Sequence, residues 1–470
     1  MMERTWIIFG FTVVYIAATS LVGMWSVKHT KDTTGFMTAK NQLGPYLVGL
    51  LLMSEFIGTA ATLGTAQTGY EKGLAAAWNS SSLALGYLLY AFFLAPKMNA
   101  LGEYTISGAL ARHYGSGIRL IVSVTMALAL TIVNIATFTG GGAAIGALIH
   151  VPVETAIWII GIVAALNVSF GGIRGVGFAN LIHVAFKYAG VLLVAGAAWF
   201  IIMGKPELMA KIPDNYFTLI EGVGYPTFFA WLIGNVGAIF STQYVLQAIS
   251  GLSTPAEARK AAIVASIAIF PIGFISAFIG VYAKAIFPNI KSIMALPAFF
   301  DLMNPWLVGI VASALVAATF VTILACQLGA TALMMKDFYI PFVKPSAKHE
   351  LWASRIMSIV IGLTPIPCAL LVPGMIKTIF FARSLRTAIA VLVVFMLFMP
   401  NMASKTGANI GLLLSVVVTI AWFFLGNPWG IDSMYVALLI PAVIMLIDHA
   451  INKIRRPALV EDKTPKMQFK

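Results

Sequence analysis

The chain has 470 residues, 60% of them hydrophobic and only 10% charged, with a formal net charge of +13. A soluble domain carries about a quarter charged residues, so there is too little polar surface for water to be the solvent, and a water-soluble globule is excluded. The positive charge does not imply nucleic acid. No basic cluster is dense enough to follow a phosphate backbone, and an excess of Lys and Arg on cytoplasmic loops gives the same total.

In chain order, the first apolar run, Trp6 to Trp25, is longer than a signal-peptide core and reads as a retained helix. Stretches of span length then recur, giving thirteen expected crossings at 5–26, 46–71, 74–97, 118–146, 152–170, 175–203, 227–249, 260–287, 306–335, 352–372, 376–399, 406–426 and 433–452. No alternation of the β-barrel kind appears. The predicted fold class is an all-α integral membrane protein. Cys326 and Cys368 both lie in apolar stretches and read as small buried hydrophobes. The polar residues 453–470 read as a disordered tail.

Charge placement sets the expected orientation. With the N-terminus outside, inner segments hold 20 Lys and Arg, outer segments hold 7, and Lys187, Arg383 and Arg386 lie inside spans. This bias follows the positive-inside rule for an odd number of crossings in the cell membrane, with the C-terminus cytoplasmic.

Two spans are rich in glycine and polar residues: Met53 to Gly64, and Trp231 to Gln243. Transporters bind solutes near the midplane, where broken helices free backbone groups to act as ligands. Unwinding is expected near 54–58 and 234–238. Close helix packing explains glycine in membrane spans equally well.

Several segments then stand together. They are the inner loop Lys28 to Leu43, the stretch Tyr104-Thr-Ile-Ser-Gly-Ala-Leu-Ala-Arg-His-Tyr-Gly115, the turn Gly171-Gly-Ile-Arg-Gly-Val176, Gln243-Tyr-Val-Leu-Gln247 followed by Ala256-Glu-Ala-Arg259, and Ala317-Ala318 through Asp337-Phe-Tyr339. Each is a weak signal, but in this order and spacing the set resembles the solute:sodium symporter family, whose members carry sugars, proline, pantothenate, sialic acid and monocarboxylates. The resemblance implies the inverted-repeat bundle of the leucine-transporter type. Here that would be an extra helix at 1–26, a core at 46–399 with repeats at about 46–203 and 227–399, and two C-terminal helices at 400–452.

The resemblance also implies a sodium site between the first broken helix and the ninth span, with carbonyls of Ser54, Ile57 and Ala318 and a hydroxyl from Thr322. The neighbouring family hydroxyl is replaced by Val321, which has no oxygen. Asn180 stands where the family has an aspartate, and His183 replaces a glutamine. Thr322 could equally bond back to a carbonyl one turn earlier, and His183 reads first as a packed, hydrogen-bonded residue.

Four ionisable residues stand out by depth alone. Glu55 is the one mid-span residue among 17 acidic ones, about 14 Å from the start of its helix at 1.5 Å per residue. Such a carboxylate is costly and needs a partner or a function, as part of a solute site with Asn235 and the two arginines or as a proton or sodium-substitute group. Arg383 and Arg386 share a helix face at similar depth. They would pair with Glu55 as an outer gate, clamp a substrate carboxylate, or snorkel. Lys187 would exchange a proton, stand in for sodium, or snorkel to the outer face. By the same resemblance, Asn235 matches the family's polar substrate contact on the sixth core helix. Ala238 and Ile239 replace the aromatics that sugar carriers use there, which argues against a sugar.

The expected function is alternating-access symport of a small polar solute, with an organic anion preferred because two arginines are placed to meet one. The coupling ion expected first is sodium, with the proton as competitor. No other metal or cofactor is expected. A membrane-embedded sensor that has lost transport is the alternative from another class. A channel is disfavoured because no repeated selectivity loop appears. An enzyme is disfavoured because no metal cluster, nucleophile elbow or phosphate loop appears.

Overall fold

The computed structural model describes residues 2–27, 33–149, 151–371, 375–402 and 404–455. Among these there is no strand. Ten helices are long and apolar enough to cross a membrane, or eleven if one bent pair counts as a span, and Pro45–Phe56 and Val153–Leu166 are shorter apolar helices. The expected tail lies almost wholly outside the described residues, as does the 28–32 part of the first inner loop.

The main helices are α1 (Met2–Val27), α2 (Pro45–Phe56), α3 (Thr65–Lys72), α4 (Trp78–Leu89), α5 (Ile106–Tyr114), α6 (Ser116–Ile149) and α7 (Val153–Gly204). They continue with α8 (Tyr225–Ser241), α9 (Gln243–Ser250), α10 (Pro255–Ile286), α11 (Pro305–Leu333), α12 (Ala347–Leu363), α13 (Met375–Phe398), α14 (Lys405–Phe424) and α15 (Ser433–Arg455).

Glycine makes two of the sharp turns. At Gly73, φ is +74°, and the chain leaves α3 to return as α4. The reversal is visible in the hydrogen bonds. Asn79 Nδ2 donates to the Ala60 carbonyl at 3.2 Å, and Ser80 Oγ donates to the Ala61 carbonyl at 3.0 Å. A straight helix would hold residues nineteen apart about 28 Å from each other. The long helix α7 is likewise broken at Gly172, where φ is +56°.

Burial sorts the helices into an inner and an outer set. α11 and α13 are almost wholly buried, whereas α1, α12, α14 and α15 turn most of their apolar surface outward. Exposed Trp6, Phe200, Trp352 and Phe424 belong to this outer skin. Helices that are apolar all round yet exposed make sense when lipid is the solvent. Cys326 on α11 is buried as expected, but Cys368 is exposed, because the short helix Pro365–Ala369 packs by one side only.

The first expected interruption is present. α2 ends at Phe56, Ile57 leaves helical geometry at φ −87°, ψ 67°, and the chain resumes as a π-helical turn at Ala60–Gly64. The second is displaced. Residues 234–238 lie inside the continuous helix α8, and the break comes at Thr242, where α8 and α9 meet at 43°. Gly234 and Gly237 serve packing instead. A Cβ on Gly234 would lie 2.2 Å from Met434 Cε, and one on Gly237 would lie 2.4 Å from Thr387 Oγ1.

Candidate functional site

Breaking α2 frees carbonyls at its C-terminal end, where the helix dipole is negative. Two of them find unusual partners. The Ser54 carbonyl accepts from Lys187 Nζ at 2.8 Å, and the Glu55 carbonyl accepts from Thr322 Oγ1 at 3.0 Å. The same hydroxyl lies 3.2 Å from the Ala318 carbonyl one turn back on α11. Gly58 allows this approach, since a Cβ there would lie 2.5 Å from Thr322 Oγ1 and 3.4 Å from the Ala318 carbonyl. Ser54, Ile57, Ala318, Thr322 and Val321 are all buried around this junction of α2, α7 and α11.

Beside it lies a cavity of about 30 Å³ lined by Glu55, Gly58, Thr59, Thr322, Arg383 and Arg386, among others. That is room for about two or three water-sized spheres. Glu55 and both arginines are buried, and neither carboxylate oxygen of Glu55 has a hydrogen-bond partner. No direct ion pair joins Glu55 to either arginine among the described residues, contrary to the outer-gate expectation. Arg386 is turned to the second helix break instead, where Nη1 donates to Thr242 Oγ1 at 3.1 Å, and its Nε and Nη2 have no partner. Arg383 stands over the Phe380 ring, 4.6 Å from its centroid. The site thus holds one carboxylate and two guanidiniums around a shared space, with both Glu55 oxygens, Arg383 Nη1 and Arg386 Nε and Nη2 lacking a hydrogen-bond partner.

The structure does not bring Asn235 into this cavity. Its Nδ2 donates to the Asn79 carbonyl at 3.0 Å and to Ser82 Oγ at 2.6 Å, fixing α8 against α4. α8 stays wound through 235 and directs the amide at a neighbouring helix. His183 is packed, as its environment suggested, with Nδ1 hydrogen-bonded to the Tyr15 hydroxyl. Gln247 bridges to the Met37 carbonyl at 2.6 Å. Sequence reasoning passed over Thr59, Thr137 and Cys326, which also line the cavity. Cys326 was findable, being one helical turn after Thr322 on the same face.

At the other end of the core, polar groups tie the start of α5 to α9 and to the π-helical turn Met334–Tyr339 that follows α11. Gln243 Oε1 accepts from the Ile106 amide at 2.9 Å, and its Nε2 donates to the Tyr104 carbonyl at 2.8 Å. Asp337 accepts from Ser107 and Ser123. Glu103 bridges Lys336 and Arg112, the latter at 2.8 Å. Burial pushes the Glu103 carboxyl up, but the hydrogen bonds and charges of Lys336 and Arg112 outweigh that and hold it below the usual range. Among the described residues no group of three or more His, Cys, Asp or Glu could hold a metal ion.

The geometry can be set beside known proteins. The chain is 22% identical over 359 residues to the high-affinity proline transporter PutP of Bacillus subtilis, covering 70% of this chain and 73% of that one. It is 23% identical over 452 residues to the sodium/proline symporter of Haemophilus influenzae, covering 87% and 86%. Its fold matches that of a substrate-bound, outward-open Na+-coupled sialic acid symporter with a TM-score of 0.81 at 18% identity, over 95% of this chain and 98% of that one. The profile of the sodium:solute symporter family matches residues 36–415, and the chain belongs to that family, whose members are transporters and not enzymes.

Proposed function

We propose that the chain is a secondary active symporter that moves a small organic anion by alternating access, driven by a cation gradient. The observation that carries this reading is the cavity where Glu55, Arg383 and Arg386 face one another unpaired. Buried charges are costly unless compensated, and a carboxylate solute would supply the partner that the two planar guanidiniums lack. The cavity is too small for an organic molecule as it stands, so entry requires the helices to part, which is what alternating access provides.

Family membership supports a coupling cation, sodium in the family's name, and Ser54, Ile57, Ala318 and Thr322 frame the position where the resemblance puts the ion site. We assign the chain thirteen crossings, with repeats at about 46–203 and 227–399 between the extra helix at 1–26 and the two helices at 400–452, in the cell membrane with the N-terminus outside. One observation favours a second solute class. Both Glu55 oxygens are free and could accept an ammonium while an arginine holds a carboxylate, which suits an amino acid such as the proline carried by two of the relatives.

The test is uptake into proteoliposomes of a monocarboxylate, a dicarboxylate, proline and a neutral sugar under imposed cation gradients. Uptake of a carboxylate-bearing solute, lost in Arg386→Ala, is expected. Preferential uptake of the sugar would overturn the anion reading, and no uptake of any solute would favour a sensor.

A further inference from the structure

The fit of a sodium ion to the family position can be judged from the oxygens present. Val321 contributes none, the Ser54 carbonyl is bonded by Lys187, and the Thr322 hydroxyl already donates to the Glu55 carbonyl. A hard cation wants several oxygens converging on it; a donating hydroxyl and a once-bonded carbonyl keep lone pairs, but Val321 adds no oxygen and the Ser54 carbonyl already holds an ammonium at 2.8 Å. The residues do not fit the ion.

They fit something else. We infer that the Lys187 ammonium is a tethered cation seated at the family's sodium position, and that this position in this chain takes no sodium ion. The inference rests on the symporter reading and names the cation at its ion site.

Three observations support it. First, Lys187 is 1% exposed and ends on a carbonyl at the C-terminal end of a half-helix, the negative pole where a positive charge is stabilised. A snorkelling lysine would carry its ammonium to the membrane surface. Second, no carboxylate pairs with it among the described residues, so broken-helix backbone takes the place of an acidic partner. Lys187 lines a small pocket with Thr62, Gly190, Val191, Val311, Ala314 and Ala318, among others. Third, the losses match. Val321 has no hydroxyl and Asn180 no charge, so neither offers a sodium ion the ligand or counter-charge that the resemblance implies at those positions. A sodium ion sharing the Ser54 carbonyl would meet the ammonium at contact distance and be repelled.

Two measurements test this. The unfolding midpoint of the purified protein is followed as sodium chloride replaces potassium or choline chloride at constant ionic strength. The wild type is expected to show no sodium-specific shift. The double variant Lys187→Ala with Val321→Ser bares the Ser54 carbonyl and restores the hydroxyl, and its midpoint should climb with sodium and saturate, as ligand linkage requires. In proteoliposomes, wild-type uptake should be unchanged by removing sodium, and that of the double variant should rise severalfold with it. A saturable sodium shift or sodium-driven uptake in the wild type overturns the inference, as does a folded double variant that stays insensitive to sodium. Should the double variant not fold, the wild-type titration still decides. Failure of uptake under every gradient would defeat the symporter reading alone, since the midpoint titration needs no transport.

Discussion

Arg386 joins two parts of the site with one side chain: its Nη1 reaches Thr242 at the second helix break while the rest of the fork faces the cavity with Glu55. A planar fork can do both at once and a lysine cannot. Arg386→Lys is therefore expected to keep the fold and lose about one charged hydrogen bond to solute, worth about 1.5–3 kcal/mol, or about 10- to 100-fold in affinity. Competition binding with the transported solute reads this, and unchanged affinity would remove Arg386 from the site. Glu103 offers a different test, by pH. Its native carboxyl titrates lower than when unfolded, because Lys336 and Arg112 outweigh burial. Its contribution to stability is thus complete above the unfolded value of about 4.3 and is lost as pH falls through the lower native value. Unfolding midpoints should be flat in this respect near neutrality and fall on the acid side, and Glu103→Gln should make that acid fall shallower. At this scale the sequence was informative where burial is expensive. Glu55, Lys187, Arg383 and Arg386 announce themselves because an ionisable group at membrane depth is rare and costly. Thr59 and Thr137 do not, since a threonine in a membrane helix commonly bonds back to its own turn.

The two helix breaks show what local composition can and cannot reveal. Both glycine-rich stretches invited the same reading, and only the first is unwound where expected. In α2 the break is built by Ile57 and Gly58, with Thr322 set against the gap. In α8 the glycines admit neighbours instead, and the helix stops five residues after Gly237, at Thr242. Which role a glycine plays depends on the helix that crosses it, and one strand of sequence does not contain that helix. Gly237→Ala should accordingly behave as an overpacking substitution, costing about 1–3 kcal/mol as its Cβ meets Thr387 Oγ1 at 2.4 Å and the Thr387 backbone at 3.0 Å. Thr387→Ala should recover only part of the loss, because the backbone at that position still crowds the added methyl. A measured midpoint for Gly237→Ala equal to wild type would mean that α8 and α13 are not held this closely.

At the scale of the whole molecule, the family and the helical membrane fold were legible because they rest on many weak signals that agree, whereas the sidedness of the bundle rests on one. The inner and outer helix sets follow from burial and do not say which end faces the cytoplasm. The proposed orientation rests on the bias of 20 to 7 in Lys and Arg, which works through short loops near the membrane. On that proposal the connection after α7, residues 205–224, lies outside and the α11–α12 connection inside. Exposed positions for a probe are Glu207 and Asp214 on one side and Lys348, in the first turn of α12, on the other. Cys368 is exposed and would report by itself, so it is first replaced with serine, and the buried Cys326 with alanine. A cysteine at 207 or 214 should then react with a membrane-impermeant thiol reagent on intact cells, and one at 348 only after the membrane is opened. The opposite pattern would invert the bundle and turn the Glu103–Lys336–Arg112 cluster to the outside. Labelling of 207 and 348 from the same side would require an even number of crossings between them, and the thirteen-helix assignment would fall with it.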